Sequence, residues 1–565
     1  MAHRDERSST LDRPWHRPGG ARYALTRIRR ALRPSVRVEQ VPPGEVDIRP
    51  DLPVTARDGT VLRVNVYLPP GGGRHPVILC AHPYGKDRLP QRRRRGYRVA
   101  MQYRLLRQPS PVRFSELTTW EAPDPLWWTG QGYAVVNADL RGCGTSEGTG
   151  DLMGAQEGRD VADLIEWAAA QPWSTGKVGM LGVSYLAISQ YRAAGEHPAG
   201  LAAICPWEGL TDPYRDLMRP GGIREDGFMA IWTRQLRQDR LSYDIRARQR
   251  EHRLRDSWWE SVTPDLSGIQ VPMLVCGSFS DHCLHTRGSF RAFAEVSSEH
   301  RYLYTHRAGK WAEFYSAEAR MEQRRFLDRF VADRPAASEP PRVRLEVRDS
   351  RDQVVSVRDE AGWPPPGVRW TELFLGSDGA LAHTPPPDAG SVTFPLRRRA
   401  AAFRWTVDAD CEIVGPMALR LFVQAVGCDD VPLFVGVEKW RAGRYVPFEG
   451  SYGFGRDRVA TGWLRASLRE LAEGSSPQQP AHTFARRQAL SPGEVVEVQV
   501  PLLPSATAFR AGDELRLVVA GRWLSPRNPL TGQFPTRYER PPKGAGILHW
   551  GPDRPARLLL PVLSS

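Results

Sequence analysis

The segment of this sequence best suited to chemistry is Gly182-Val183-Ser184-Tyr185-Leu186-Ala187. It follows an apolar run, Val178 to Leu181, and opens a stretch that predicts a helix through Ala194. A serine on a sharp strand-to-helix turn exposes its hydroxyl as a nucleophile elbow requires. Gly182 avoids a clash at the bend, and the free N–H groups of the helix start favour a developing oxyanion. Such a serine needs an acid and a base. Asp281 follows the strand-like Val271 to Cys276 and the loop Gly277-Ser278-Phe279-Ser280. His306 closes the strand-like Arg301 to Thr305, so the chain order is Ser, Asp, His. His306 is expected to take the Ser184 proton and return it to the leaving group, with Asp281 fixing the tautomer. Activity would then fall on the acid side near ~6–7. His282 and His285 directly follow Asp281, where a side chain is expected to have little freedom to bridge back to Ser184.

These residues need a scaffold, and the sequence from about Val61 supplies one. Val61 to Leu68 alternates, with Leu62, Val64, Val66 and Leu68 on one face. Pro76 to Ala81, Tyr133 to Ala138, Gly176 to Val183, Leu201 to Cys205 and Val271 to Cys276 are short apolar runs suited to strands covered on both sides. Between them, Asp160 to Ala170 places Val161, Leu164, Ile165 and Ala168 on one helical face. Strand and helix in alternation predict a mostly parallel sheet wrapped by helices. Residues 207–265 interrupt the rhythm with Arg, Asp and Trp and look helical, as an insertion over the carboxyl edge of the sheet would. After about Ala336, alternating runs such as Val498 to Leu503 and Glu514 to Val519 lie between Pro, Gly and Asp turns, which argues for an all-β sandwich.

The expected organisation is a basic flexible tail over 1–40, a catalytic core over 41–206 and 266–335, the helical insertion 207–265, and a β-sandwich over 336–565. At 565 residues the chain exceeds a single core. It contains no run of ~18 apolar residues for a membrane-spanning helix. The first forty residues lack the apolar stretch of an export signal, so a cytoplasmic location is expected. Seven scattered cysteines imply no disulfide framework. The net charge of +14, densest over Arg92 to Arg95 beside Arg98, comes without a nucleic-acid-binding motif and reads as a solvated Arg-rich surface.

Further motifs carry a resemblance. They include Arg57-Asp58-Gly59, Pro83-Tyr84-Gly85-Lys86, Asp139-Leu140-Arg141-Gly142-Cys143-Gly144-Thr145-Ser146, and Gln171-Pro172-Trp173-Ser174-Thr175-Gly176-Lys177-Val178-Gly179. Distally, Gly462-Trp463-Leu464-Arg465-Ala466-Ser467 and Ser491-Pro492-Gly493-Glu494 add to the set. From about Val54 onward the chain resembles the cocaine-esterase/NonD hydrolases, relatives of X-Pro dipeptidyl-peptidases and α-amino-acid ester hydrolases. The resemblance implies an α/β-hydrolase fold with a helical lid and a C-terminal jelly-roll of the galactose-binding kind. It also implies Asp281 as the acid, and the Tyr84 hydroxyl with the Tyr185 backbone N–H as the oxyanion hole. Two departures stand out. The family's elbow carries Gly three residues after the serine, where this chain has Ala187. The family's Gly-Pro-Trp-x-His stretch is replaced by Thr305-His306-Arg307-Ala308-Gly309-Lys310-Trp311.

The reading that results is a serine hydrolase cleaving a carboxylic ester or amide through an acyl-enzyme on Ser184, with neither metal nor cofactor. Its expected partner is a small-molecule ester or amide, not nucleic acid or membrane, and a homodimer is compatible. X-Pro dipeptidyl-peptidase or α-amino-acid ester hydrolase activity is the alternative on the same triad. From another class, a non-catalytic binding protein would show a broken triad. A zinc site over Asp281-His282-Cys283-Leu284-His285 lacks a second ligand cluster. Glu208, Asp212, Asp216, Glu225 and Asp226 of the insertion could hold an ammonium group, but acidic surface is the commoner explanation.

Overall fold

The computed structural model describes residues 36–564 apart from 95, 101, 104–111, 336, 451–456 and 526–535. The tail expected over 1–40 therefore falls mostly outside the described residues. Its last part is a strand, Val36–Glu39, paired in parallel with Val112–Ser115.

Ten strands make the sheet that carries the site. They are β1 (Asp47–Thr55), β2 (Val61–Leu68), β3 (His75–His82), β4 (Ala134–Asp139), β5 (Ser174–Val183), β6 (Leu201–Trp207), β7 (Met273–Ser278), β8 (Arg301–His306), β9 (Val343–Ser350) and β10 (Gln353–Glu360). Pairing gives the order β1-β2-β4-β3-β5-β6-β7-β8-β9-β10. The pairs β1–β2, β2–β4 and β9–β10 are antiparallel, and the rest are parallel. The apolar runs read from the sequence are buried on both faces because successive side chains enter two different cores. Val77 and Leu79 of β3 join one cluster and Ile78 the other. Helix α1 (Ala155–Ala169) covers the first with Val161, Leu164, Ile165 and Ala168, the face anticipated from spacing. Helix α8 (Ala317–Phe330) closes the second with Phe326 and Leu327.

The carboxyl ends of β5, β6, β7 and β8 lie side by side, Val183 beside Trp207, Trp207 beside Cys276, and Ser278 beside His306. Four short helices follow or flank these ends: α2 (Tyr185–Gly195), α6 (Thr286–Glu295), α7 (Lys310–Phe314) and, in the insertion, α3 (Gly227–Gln235). The insertion also holds α4 (Ile245–Glu251) and α5 (Ser257–Ser261), and it buries Trp232 and Trp259. It is helical, as expected.

Beyond β10 the described chain is mostly antiparallel strand. The long strand Cys411–Val426 pairs with Val495–Phe509, Ala545–Trp550 and Arg557–Ser564. Pro432–Arg441 lies between Ala460–Arg465 and Glu514–Ala520. This half is stitched to the first. β9 extends the catalytic sheet through Leu303 and Val343, and Arg348 pairs with Thr507. The insertion docks on the far end of the chain: Glu225 bridges to Tyr538, and Arg224 N–H donates to Glu539 Oε1 at 3.0 Å. Gly221 lies so close that a Cβ there would fall 2.3 Å from the Trp463 carbonyl. No helix among the described residues is long and apolar enough to cross a membrane.

Candidate active site

Ser184 sits between β5 and α2 with φ 62° and ψ −112°, a backbone conformation that L-residues rarely hold. Two neighbours fix it. The Ser184 N–H donates to Trp207 O at 3.0 Å, and the Val183 N–H donates to Glu121 O at 3.2 Å. Gly182 is required by space, since a Cβ there would come 2.4 Å from Leu186 Cβ. Ala187, where the family carries glycine, faces Gly209; a Cβ on residue 209 would lie 2.8 Å from the Ala187 methyl. The missing glycine has in effect moved across the contact. As the first residue of α2, Tyr185 has a backbone N–H with no intrahelical acceptor. Its ring points elsewhere, the hydroxyl donating to Glu157 Oε2 at 2.6 Å.

The histidine against the serine is His285: its Nε2 lies 3.3 Å from Ser184 Oγ. Its Nδ1 lies 2.6 Å from Asp281 Oδ2. A carboxylate only accepts, so Asp281 draws the ring proton onto Nδ1 and leaves the Nε2 lone pair to the serine. The Lys310 ammonium, 2.8 Å from Nδ1, gives its hydrogen to Asp281 rather than to the ring. The expectation that a histidine so near Asp281 could not bridge to the serine fails for a local reason. The Asp281 carbonyl accepts from the N–H groups of Leu284, His285 and Thr286, so the chain winds one turn into α6. Residues four apart on such a turn share a face. His282, on another face, pairs with Asp457 Oδ2 at 3.2 Å.

His306 stands apart from Ser184, contrary to the sequence reading. The Ala308 N–H donates to its Nδ1 at 3.1 Å, and its Nε2 lies 3.1 Å from Glu208 Oε1. Both ring nitrogens are engaged, and the ring is fully buried beside Trp207. The signal that could have found His285 lies in the departure from the family motif. Gly309-Lys310-Trp311-Ala312-Glu313 puts Glu313 where Gly-Pro-Trp-x-His has its histidine. Glu313 instead accepts from the Tyr304 hydroxyl at 2.6 Å.

Tyr84 follows β3, and its N–H donates to His82 Nδ1 at 3.2 Å. Burial pushes its hydroxyl well above the ordinary value, against the smaller opposing effect of its contacts with the Trp232 and Ser184 side chains. The phenol therefore stays neutral and keeps a hydrogen to donate beside Ser184. Trp232 belongs to α3, so the insertion reaches Tyr84 and the ring of Tyr185, the residue after the serine; Ser184 itself is only 8% exposed.

Beneath the triad lies a buried charged layer. Lys310, the first residue of α7, places Nζ 2.7 Å from Asp281 Oδ2, 2.8 Å from His285 Nδ1 and 3.9 Å from Glu208 Oε2. Glu121 accepts from Trp311 Nε1 at 3.2 Å, and burial lifts its carboxyl to about 8. Glu121 and Glu208 both have positive φ, 65° and 50°. Ligand atoms of Glu208, Cys276 and His306 lie within 4.8 Å of one another. The Lys310 ammonium already supplies positive charge there, and burial keeps the Cys276 thiol protonated, so the cluster reads as an ion-paired core. The insertion's acids are not the surface charges expected. Asp212 pairs with Arg215 at 2.5 Å, Asp216 accepts from the N–H groups of Thr211 and Asp212, and Glu225 caps α3 through Gly227, Phe228 and Met229. Asp226 pairs with Arg224.

Known hydrolases share this architecture. Residues 58–312 match the family model described as X-Pro dipeptidyl-peptidase (S15 family), and residues 335–559 match its C-terminal non-catalytic domain. A CocE/NonD family hydrolase from Staphylococcus aureus is similar at 34% identity, covering 91% of this chain and 94% of that one, with a TM-score of 0.85. The cocaine esterase of Rhodococcus sp. (strain MB1 Bresler) is 22% identical, over 92% of this chain and 99% of its own length. An α-amino-acid ester hydrolase shares the fold at 18% identity, covering 92% of this chain and 97% of its own, with a TM-score of 0.70.

Proposed function

Since the chain belongs to the CocE/NonD family of hydrolases, we propose that it cleaves carboxylic esters through an acyl-enzyme on Ser184, with His285 as base and Asp281 as its orienting acid. The observation that carries this reading is the unbroken line from Asp281 Oδ2 through His285 to Ser184 Oγ, ending on a strained elbow. His285 Nε2 takes the hydroxyl proton as Oγ attacks the acyl carbon. The oxyanion that forms is met by the Tyr84 hydroxyl and the Tyr185 N–H. Collapse expels the alcohol, which receives the proton from His285, and water repeats the sequence to free the acid. The 3.3 Å contact is one that substrate binding would tighten.

The helical insertion acts as a lid in this scheme, because Trp232 reaches Tyr84 and the insertion is braced on the all-β half. That half is proposed to be a jelly-roll, in line with its antiparallel strand pairing. A fluorophosphonate that labels wild type but not Ser184→Ala, together with turnover of p-nitrophenyl esters, tests the chemistry. X-Pro anilides in the same panel test dipeptide release. Turnover confined to the anilides would replace the ester reading.

A further inference from the structure

Most serine triads pair the imidazole with one carboxylate, whose negative charge invites a second proton onto the ring. Here that carboxylate is shared. The Lys310 ammonium touches Asp281 Oδ2 at 2.7 Å and stands 2.8 Å from His285 Nδ1, as close to the ring as the carboxylate's own 2.6 Å contact. Equal and opposite charges at equal distance cancel in their pull on a third group, and burial removes the solvent that would otherwise blur the effect.

We propose that Lys310 is a positioning residue that keeps the triad histidine uncharged in acidic medium, so that ester cleavage persists below the pH at which ordinary serine–histidine pairs stall. The proposal rests on the triad reading above.

The groups facing His285 support this from every side. On its own turn stands Asp281, while Arg287 of α6 lies toward Asp216 and Asp212 instead. From the elbow come Ser184 and, from β3, the neutral Tyr84 hydroxyl. From α7 comes Lys310, kept charged against burial by Asp281 and Glu208. Behind it Glu208 is held by His306, Cys276 stays a thiol, and Glu121 loses its proton only near 8. Burial first and Lys310 second push the His285 imidazole down to about 4, against the pull of Asp281. The sign follows: the working form is the neutral ring, so activity is retained as pH falls and is lost only below this depressed value.

The test is kcat/KM on one activated ester between about pH 4 and 8, for the full-length wild type, Lys310→Met and Lys310→Arg. The wild-type acid limb is expected below about pH 5, well under the usual imidazole range. Lys310→Met should raise that limb by about two units, to the ordinary imidazole range, a loss of about tenfold in relative activity at pH 5, and Lys310→Arg should restore it. A residue of merely structural value would lower kcat without moving the limb. A wild-type limb at the ordinary 6–7 would overturn the proposal, as would a folded Lys310→Met enzyme with an unmoved limb. If Lys310→Met does not fold, the pH dependence of fluorophosphonate labelling of wild type and Lys310→Arg decides alone. Labelling of Ser184 that survives in His285→Ala would instead sink the triad assignment, and the proposal with it.

Discussion

At the scale of single residues, the two candidate histidines make opposite predictions. His285→Ala removes the group on Ser184 Oγ and should cost several orders of magnitude in kcat while the protein stays folded. His306→Ala should leave the triad in place but strand the Glu208 carboxylate in the core, at a cost of about 3–5 kcal/mol in stability. Kinetics and thermal denaturation of both variants separate the roles. A His306→Ala enzyme that is stable yet inactive would return the base to residue 306. Tyr84→Phe keeps the ring and deletes one oxyanion donor, with an expected loss of about 10²–10³ in kcat and little change in KM. An unchanged kcat would leave Tyr84 as packing between Tyr185 and the insertion.

At the scale of elements, the elbow depends on two glycines, Gly182 within β5 and Gly209 just after β6. Gly209→Ala brings a methyl to 2.8 Å from Ala187 Cβ and 3.3 Å from the Tyr191 ring, and overpacking of this kind costs about 1–3 kcal/mol. Adding Ala187→Gly should recover much of that loss, and a double-mutant cycle by urea denaturation measures the coupling. Additive effects would mean that the contact is not what holds the elbow. The elbow, the strands and α1 were legible in the sequence because periodicity and glycine placement are local properties. The motifs that carried the family resemblance turn out to be structural as well. Asp139 accepts from the N–H groups of Lys86 and Thr145, and Arg141 clasps Asp160. The base was not legible in this way. His285 follows β7 and His306 ends β8, and only the winding of residues 281–286 around the Asp281 carbonyl decides which one meets Ser184. The buried state of Glu208, Asp212, Asp216 and Glu225 was hidden for a like reason, since their partners are backbone amides, His306 and arginines that composition alone does not place.

At the scale of the whole molecule, the two halves share more than a linker. β9 continues the sheet of β8, Arg307 lies buried against Phe448 with Nη1 donating to Val459 O, and His282 of the catalytic half meets Asp457. Calorimetry should therefore show one cooperative unfolding transition; two separated transitions would mean that the halves are energetically independent. The longest of these braces joins Arg224 and Glu225 of the insertion to Arg537, Tyr538 and Glu539, across some 315 residues of sequence. Contacts so distant form late, because the loop they close is long, and during synthesis the partner strand emerges after the catalytic core is already outside the ribosome. The insertion is thus braced only once residues 537–539 have been made, some 315 residues after Arg224. A nascent chain that stopped short of residue 537 would carry the residues of the elbow but not the contacts that brace the insertion, so the two are assembled at different times.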